Sequence, residues 1–167
     1  MKDEKVIILN ETNFKEITTL FKEVFEGEPW NHDWSDEKQL KEYIRENAGT
    51  YNALNYGLYK DGKMIAFSIG KINHYWEGTN YYIQWLGVSR KEQGKGIGSR
   101  FLQYIEEDIK KKGIRCFFLQ TETDKQAYSF YKKLGFQEEG TPVSLYKIID
   151  KQQNDQFIFQ LDEMNGR

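Results

Sequence analysis

Apolar positions along this chain of 167 residues alternate between a helical and a strand period. A short apolar strand at 6–10 opens it. Phe14, Ile17, Phe21, Val24 and Phe25 then fall on one side of a helix, with Asn13 as its cap and Glu16 completing a capping box. A second helix starts after Ser35, with Asp36 and Glu37 suited to its first turn and Leu40, Tyr43 and Ile44 facing inward. Residues 56–60, the Asp61-Gly62 turn and residues 63–73 read as a hairpin. Residues 81–88 are aromatic and β-branched enough to form a buried strand. Ile97, Phe101, Ile105 and Ile109 recur every four residues on a helix that stops at Gly113. Glu106, Glu107 and Asp108 each stand four residues before a lysine, at Lys110, Lys111 and Lys112, which lays ion pairs on its exposed side.

The pattern repeats once more. Residues 116–121 form another expected buried strand, and Thr123, Asp124, Lys125 and Gln126 fit a capping box opening a helix through Ala127, Phe130, Tyr131 and Leu134. Gly135 closes it, and residues 143–149 supply a last strand. The order is strand, two helices, three strands, helix, strand, helix, strand. That gives one α/β domain over 1–150 and an extension over 151–167. The extension is polar except for Phe157, Ile158, Phe159 and Leu161, which suit an edge strand, a docking segment or an oligomer contact.

Composition narrows the function without choosing it. The apolar share is 38% and the net charge −2. A clustered basic face, expected of a nucleic-acid binder, is missing; the lysines at 110–112 sit at a helix C-terminus opposite acidic partners. No apolar run is long enough to cross a bilayer, and the charged start is unlike a signal peptide, so the default compartment is the cytoplasm. Cys116 is the single cysteine and heads an apparently buried strand, which disfavours thiol chemistry. Two histidines do not by themselves make a zinc site, and no metal is expected.

The chemistry concentrates in Gln93, Gly94, Lys95, Gly96, Ile97 and Gly98, with Ser99 following. Three glycines bring bare amides to a helix start, where the first-turn N–H groups lack helical partners and the helix dipole is positive. A pyrophosphate is the natural guest. A dinucleotide fingerprint from Gly94 would need glycine in place of Ser99, and from Gly96 in place of Phe101. A P-loop would need lysine after its last glycine, whereas Lys95 lies between the first two. The spacing Gln93, Gly96, Gly98 instead resembles the acetyl-coenzyme A loop of the GNAT superfamily of N-acetyltransferases. The run from Ala127 through Phe130, Tyr131, Lys133 and Gly135 to Phe136 is similar to that family's second recurring motif. The resemblance covers roughly residues 55–149.

It implies a twisted, mostly antiparallel mixed sheet with two splayed parallel central strands flanked by helices. It also implies acetyl-CoA as the acetyl donor. Backbone groups from Leu86 to Val88 would pair with pantetheine, and an amide near Val88 would polarise the thioester carbonyl. The amides of Gln93 through Ser99 would hold the pyrophosphate. Tyr131 matches the family tyrosine placed to protonate the leaving thiolate. Asp124 stands where relatives often carry a cofactor-contacting asparagine; helix capping is its alternative role. Gln84 occupies a stretch where some members carry a glutamate base, and it cannot take a proton. A base would then come from Glu122, Asp33, His32 or water.

The loop at 26–34 resembles a Pro-Trp segment of aminoglycoside acetyltransferase-like members. Glu28, Trp30 and Asp33, with Gln84, are the expected acceptor contacts, since acidic groups among tryptophans suit a cationic amine. Tyr75, Trp76 and Glu77 could border the same pocket. The expected activity is acetyl transfer to a small cationic amine, aminoglycoside-like or polyamine-like. A peptide or protein N-acetyltransferase and a non-catalytic CoA sensor are the alternatives, and a homodimer is compatible with either.

Overall fold

The computed structural model describes residues 3–140, 143–145 and 147. The chain divides after Gln120 into two compact units, each described by itself. The first contains β1 (Glu4–Leu9), α1 (Phe14–Phe25), α2 (Glu37–Ala48), β2 (Asn55–Lys60), β3 (Lys63–Tyr75), β4 (Gly78–Val88), α3 (Ile97–Lys111) and β5 (Cys116–Leu119). The second contains α4 (Gln126–Lys133). The five strands form one sheet in chain order, antiparallel from β1 to β4 and parallel between β4 and β5. A right-handed crossover through α3 is the connection a parallel pair requires.

Each face of the sheet is covered. Phe67 and Ile69 of β3 join Phe21, Phe25, Leu40 and Ile44 of α1 and α2 in one buried cluster. On the other face, buried Ile97, Phe101, Ile105 and Ile109 give α3 its apolar stripe, and α3 lies near β3 and β4. There the buried hydroxyl of Tyr81 donates to the Leu54 carbonyl at 2.8 Å and pairs with Ser68 at 3.0 Å. It fits because position 70 is glycine: a Cβ there would lie 2.2 Å from the Tyr81 hydroxyl oxygen.

One irregularity in β4 reorganises the site. Ile69 pairs with Trp85 but Gly70 pairs with Ile83, so Gln84 is an extra residue, a β-bulge. Side chains alternate across a strand, so an unbroken β4 would put Ile83 and Trp85 on one face. With the bulge, Trp85 joins the α1–α2 side and packs on Phe25 at 4.7 Å between ring centroids.

Several expectations need correction. Asn13 makes no side-chain cap for α1; the cap is one turn earlier, where Asn10 accepts from Thr12 N–H at 2.9 Å and Asn13 Oδ1 accepts from Asn10 N–H at 3.1 Å. A 3-10 turn at Glu11–Asn13 absorbs the difference. For α4, the residue before the helix is Lys125 and no side chain caps it, so the box over 123–126 is not formed and Asp124 is not its cap. Cys116 is exposed rather than buried; among the described residues no strand pairs with β5 on the side away from β4. The expected strand at 143–149 lies largely outside the described residues; 143–145 and 147 are not in a strand. The extension at 151–167 lies wholly outside them.

Candidate functional site

The site begins where β4 and β5 part. Their pairing runs from Asn80 with Cys116 to Ile83 with Leu119 and ends there, so residues 84–88 have no partner on the β5 side among the described residues. Leu86 and Val88 both lie on this stretch, half-buried. Backbone donors and acceptors on such an edge must find partners elsewhere. The parting coincides with the bulge at Gln84, which adds local twist to β4 just past its last β5 pair.

Beyond β4 the chain turns through a 3-10 segment at Arg90–Glu92 into the glycine loop. Gly94 and Gly96 are left-handed, at φ 74° and 72°, and Gly96 is the residue before α3. At Gly96 a Cβ would meet nothing closer than 3.6 Å, so the backbone angle, not space, reserves the position for glycine. The Arg100 N–H donates to the Gly96 carbonyl at 3.2 Å and makes the first helical bond. The amides of Ile97, Gly98 and Ser99 precede it without an intrahelical acceptor, which makes this end of α3 an anion-binding terminus.

Side chains brace the loop. Gln93 Nε2 donates to the Val88 carbonyl at 3.0 Å, folding the lead residue back onto the strand end. Lys95 Nζ donates to the Lys91 carbonyl at 2.6 Å and to Glu92 Oε2 at 3.3 Å, and Glu92 also takes Lys60 Nζ at 3.0 Å. Hydrogen bonds from Lys60 and then Lys95 hold the Glu92 carboxyl below its usual range. Lys95 is therefore a strut of the turn. Arg100 adds a bond from Nη1 to the Lys95 carbonyl at 3.1 Å.

The residues expected on the acceptor side lie in and around the α1–α2 loop. Trp30 packs on Phe25 at 5.7 Å and Trp34 on Tyr43 at 5.0 Å; His32 stacks on Phe25 at 5.9 Å. Trp85 Nε1 donates to the Tyr43 hydroxyl at 2.9 Å. Gln84 Nε2 donates to Asn47 Oδ1 at 3.0 Å, and Asn47 Nδ2 donates to the Tyr43 carbonyl at 2.7 Å, so one bond holds the Gln84 amide and a second holds its partner Asn47. Its Oε1 is buried with no hydrogen-bond partner among the described residues, as is Trp34 Nε1. Buried polar atoms normally have partners, so unsatisfied ones call for a functional or solvent explanation.

The acidic candidates behave differently. Asp33 Oδ1 accepts from Ser35 N–H at 3.0 Å, and hydrogen bonds from Ser35 hold its carboxyl below the usual range, so it shapes a turn. Glu28 is exposed, and its carbonyl is used by Arg90. Tyr75, Trp76 and Glu77 do not border this region. They sit at the β3–β4 turn, at the opposite end of β4 from Val88.

In the second unit, the Tyr131 ring lies 5.1 Å from Phe130 and 5.2 Å from Phe136. Burial pushes its hydroxyl above the ordinary tyrosine range. Asp124 is exposed, with its carboxylate 4.0 Å from Lys125 Nζ, and Glu122 is 3.7 Å from the same ammonium. The sequence reading missed Asn47, Glu23 and Arg90, whose roles depend on partners distant in sequence. Only the glycine at 27, inside an otherwise bulky loop, hinted at a close approach.

Comparisons with known proteins agree with this geometry. A sequence model of the Acetyltransferase (GNAT) family matches residues 14–136. The uncharacterized N-acetyltransferase YesJ of Bacillus subtilis (strain 168) is 36% identical over 75 residues, 42% of this chain and 40% of that protein. The [Ribosomal protein bS18]-alanine N-acetyltransferase of Escherichia coli (strain K12) is 29% identical over 98 residues, 58% of this chain and 64% of that one. The chain thus spans less than two thirds of the length of these relatives. Among solved structures, aminoglycoside N-acetyltransferase AAC(6')-Iy in complex with CoA has a TM-score of 0.68 at 17% identity, covering 90% of this chain and 97% of its own. With the splayed β4–β5 pair, the left-handed glycine loop and a family match over residues 14–136, the chain belongs to the Acetyltransferase (GNAT) family.

Proposed function

We propose that this protein is an acetyl-CoA-dependent N-acetyltransferase acting on the primary amine of a small cationic acceptor. The observation that carries the reading is the continuity of the unpaired strand end at 84–88 with the glycine loop at 93–99. The residues present fit the donor: an exposed backbone edge suits the amides of pantetheine, and unpartnered first-turn amides suit its pyrophosphate. When bound, acetyl-CoA supplies the acetyl group as a reactive thioester. Gln93 and Lys95, through their bonds to Val88 and Lys91, keep the loop shaped for that load. An amide near Val88 polarises the thioester carbonyl, an effect worth about 3 kcal/mol where such donors have been removed.

On the acceptor side, Gln84 Oε1 accepts a hydrogen bond from the amine, while Trp30 and its aromatic neighbours face the cation. Asp33 and Glu28 add negative charge nearby. Gln84 fixes the nucleophile in place and leaves deprotonation to water or solvent, because an amide has no basic site. Holding both reactants in one cleft lowers the entropic part of the barrier. Tyr131, protonated at neutral pH, is assigned to return a proton to the departing thiolate, although burial raises its hydroxyl and makes it a weaker acid than a free tyrosine.

A peptide α-amine is the second reading. It is favoured by the relatives named for ribosomal protein bS18 alanine and by the N-alpha-acetyltransferase 30 of Schizosaccharomyces pombe, 36% identical over 56 residues, 33% of this chain and 37% of that one. One experiment separates the two: calorimetric titration of acetyl-CoA, then thiol release with aminoglycosides, polyamines and N-terminal peptides. Turnover on the polycations supports the first reading and turnover on peptides alone replaces it. In parallel Gly96→Val, which forces a β-branched residue into a left-handed angle, should lose acetyl-CoA affinity by about a hundredfold or more while still unfolding cooperatively. Unchanged affinity would remove the loop from the mechanism.

A further inference from the structure

Arg90 follows the end of β4 and precedes the glycine loop, yet its bonds run to the acceptor side. Its backbone N–H donates to Glu23 Oε1 at 3.1 Å, beside the Ser89 hydroxyl, which donates to the same oxygen at 2.7 Å. Its Nε donates to the Glu23 carbonyl at 3.1 Å and its Nη2 to the Glu28 carbonyl at 2.6 Å. One planar guanidinium therefore ties the last turn of α1 to the loop at 26–34. Among the described residues it has no carboxylate within ion-pair distance, so carbonyl dipoles alone face the cation. Gly27 makes the approach feasible: a Cβ at that position would lie 1.8 Å from Arg90 Nη2.

We infer that Arg90 is a positioning residue that fixes the acceptor loop against the strand end feeding the cofactor loop, and thereby sets the affinity for the acceptor amine. The acceptor part of this inference rests on the acetyltransferase reading. The geometry has the form of a fork closing on two carbonyls about five residues apart, which a lysine point charge does not reproduce. Trp30 N–H and Asn31 N–H both donate to the Gly27 carbonyl, and His32 N–H to that of Phe25, so the loop's own turn is built beside the clamped peptide. Loss of the clamp frees this turn, and Trp30 with it, while the amides at 97–99 keep their place on α3.

The test uses Arg90→Ala, Gly27→Ala and the double variant. Gly27 lies outside the left-handed region, and the three atoms nearest an added Cβ all belong to the Arg90 guanidinium, so alanine there acts by displacing it. Each single variant should raise the acceptor KM about tenfold and leave acetyl-CoA affinity within about twofold, as expected from losing charge-assisted bonds on one side of the cleft. Hydrogen exchange at residues 30–32 should speed up by a similar factor. The double variant should be no worse than either single, because both remove one interaction. Arg90→Lys should not rescue. Unchanged exchange and KM in Arg90→Ala, or additive effects in the double variant, overturn the clamp; faster exchange with an unchanged KM overturns its role in acceptor binding. If the wild-type protein neither binds acetyl-CoA nor turns over any amine, the acetyltransferase reading falls, and exchange at 30–32 still decides whether the clamp exists.

Discussion

At the scale of single residues, the proposed chemistry depends on a tyrosine held neutral and a glutamine held still. Burial keeps the Tyr131 phenol above its ordinary range, so it remains a proton donor throughout neutral and mildly alkaline solution. Tyr131→Phe should lower kcat by about a hundredfold, the lower end of general-acid contributions, with acetyl-CoA affinity nearly unchanged. A variant with full turnover would return Tyr131 to a packing role between Phe130 and Phe136. The residues legible in the sequence were those whose role is local: glycines at 94 and 96 announce left-handed angles because few other residues tolerate them. Gln84 was legible as a non-base. That Asn47 and Tyr43 fix it was not, since 37 and 42 residues separate α2 from its β4 partners.

At the scale of elements, periodicity located the three α-helices of the first unit and the stop of α3 at Gly113, but not the cap that opens α1. The apolar spacing of α1 and α3 reflects burial against a sheet, which is a large effect, whereas caps are worth about 1 kcal/mol and move freely by a turn. That is why Asn10, not Asn13, caps the start of the first helical segment. The α2 cap is plainer: Asp36 Oδ1 accepts from both Lys38 and Gln39 N–H at 3.0 Å. Asp36→Ala should cost roughly 1 kcal/mol, seen as a lower urea midpoint with an unchanged slope. An unshifted midpoint would mean that packing of Leu40 and Ile44 alone fixes the start of α2. The bulge in β4 left no mark in the sequence, because a bulge is a relation between two strands and each strand read alone looks regular.

At the scale of the whole molecule, strand order decided what sequence could not. Cys116 heads an apolar run, yet it is exposed on β5, which among the described residues pairs only with β4. Three tyrosines of the first unit link the fold to pH. Burial, aided by Glu16, pushes Tyr59 up to about 12, and burial pushes Tyr56 and Tyr81 further up. A phenol whose folded value is raised stabilises the protein fully below its unfolded value of about 10 and loses that contribution as pH climbs through the folded value. The melting temperature should therefore fall from about pH 10 upward, with a shallower fall in Tyr59→Phe. A flat profile to about pH 12 would show that these hydroxyls ionise as easily folded as unfolded.

The extra peptide unit at Gln84 acts like a missed tooth in a zipper. Up to Ile83 the teeth of β4 and β5 engage; one tooth later the phase is wrong, and closure stops at the strand end proposed above to take the cofactor. A protein shortened by that one residue would bring its parity back into step, keep Trp85 opposite Ile69 on the Tyr43 side because it would then directly follow Ile83, and give β5 reason to go on closing. It would be the more regular sheet and, on the function proposed above, the poorer enzyme, since the opening in this molecule comes from a single miscounted residue.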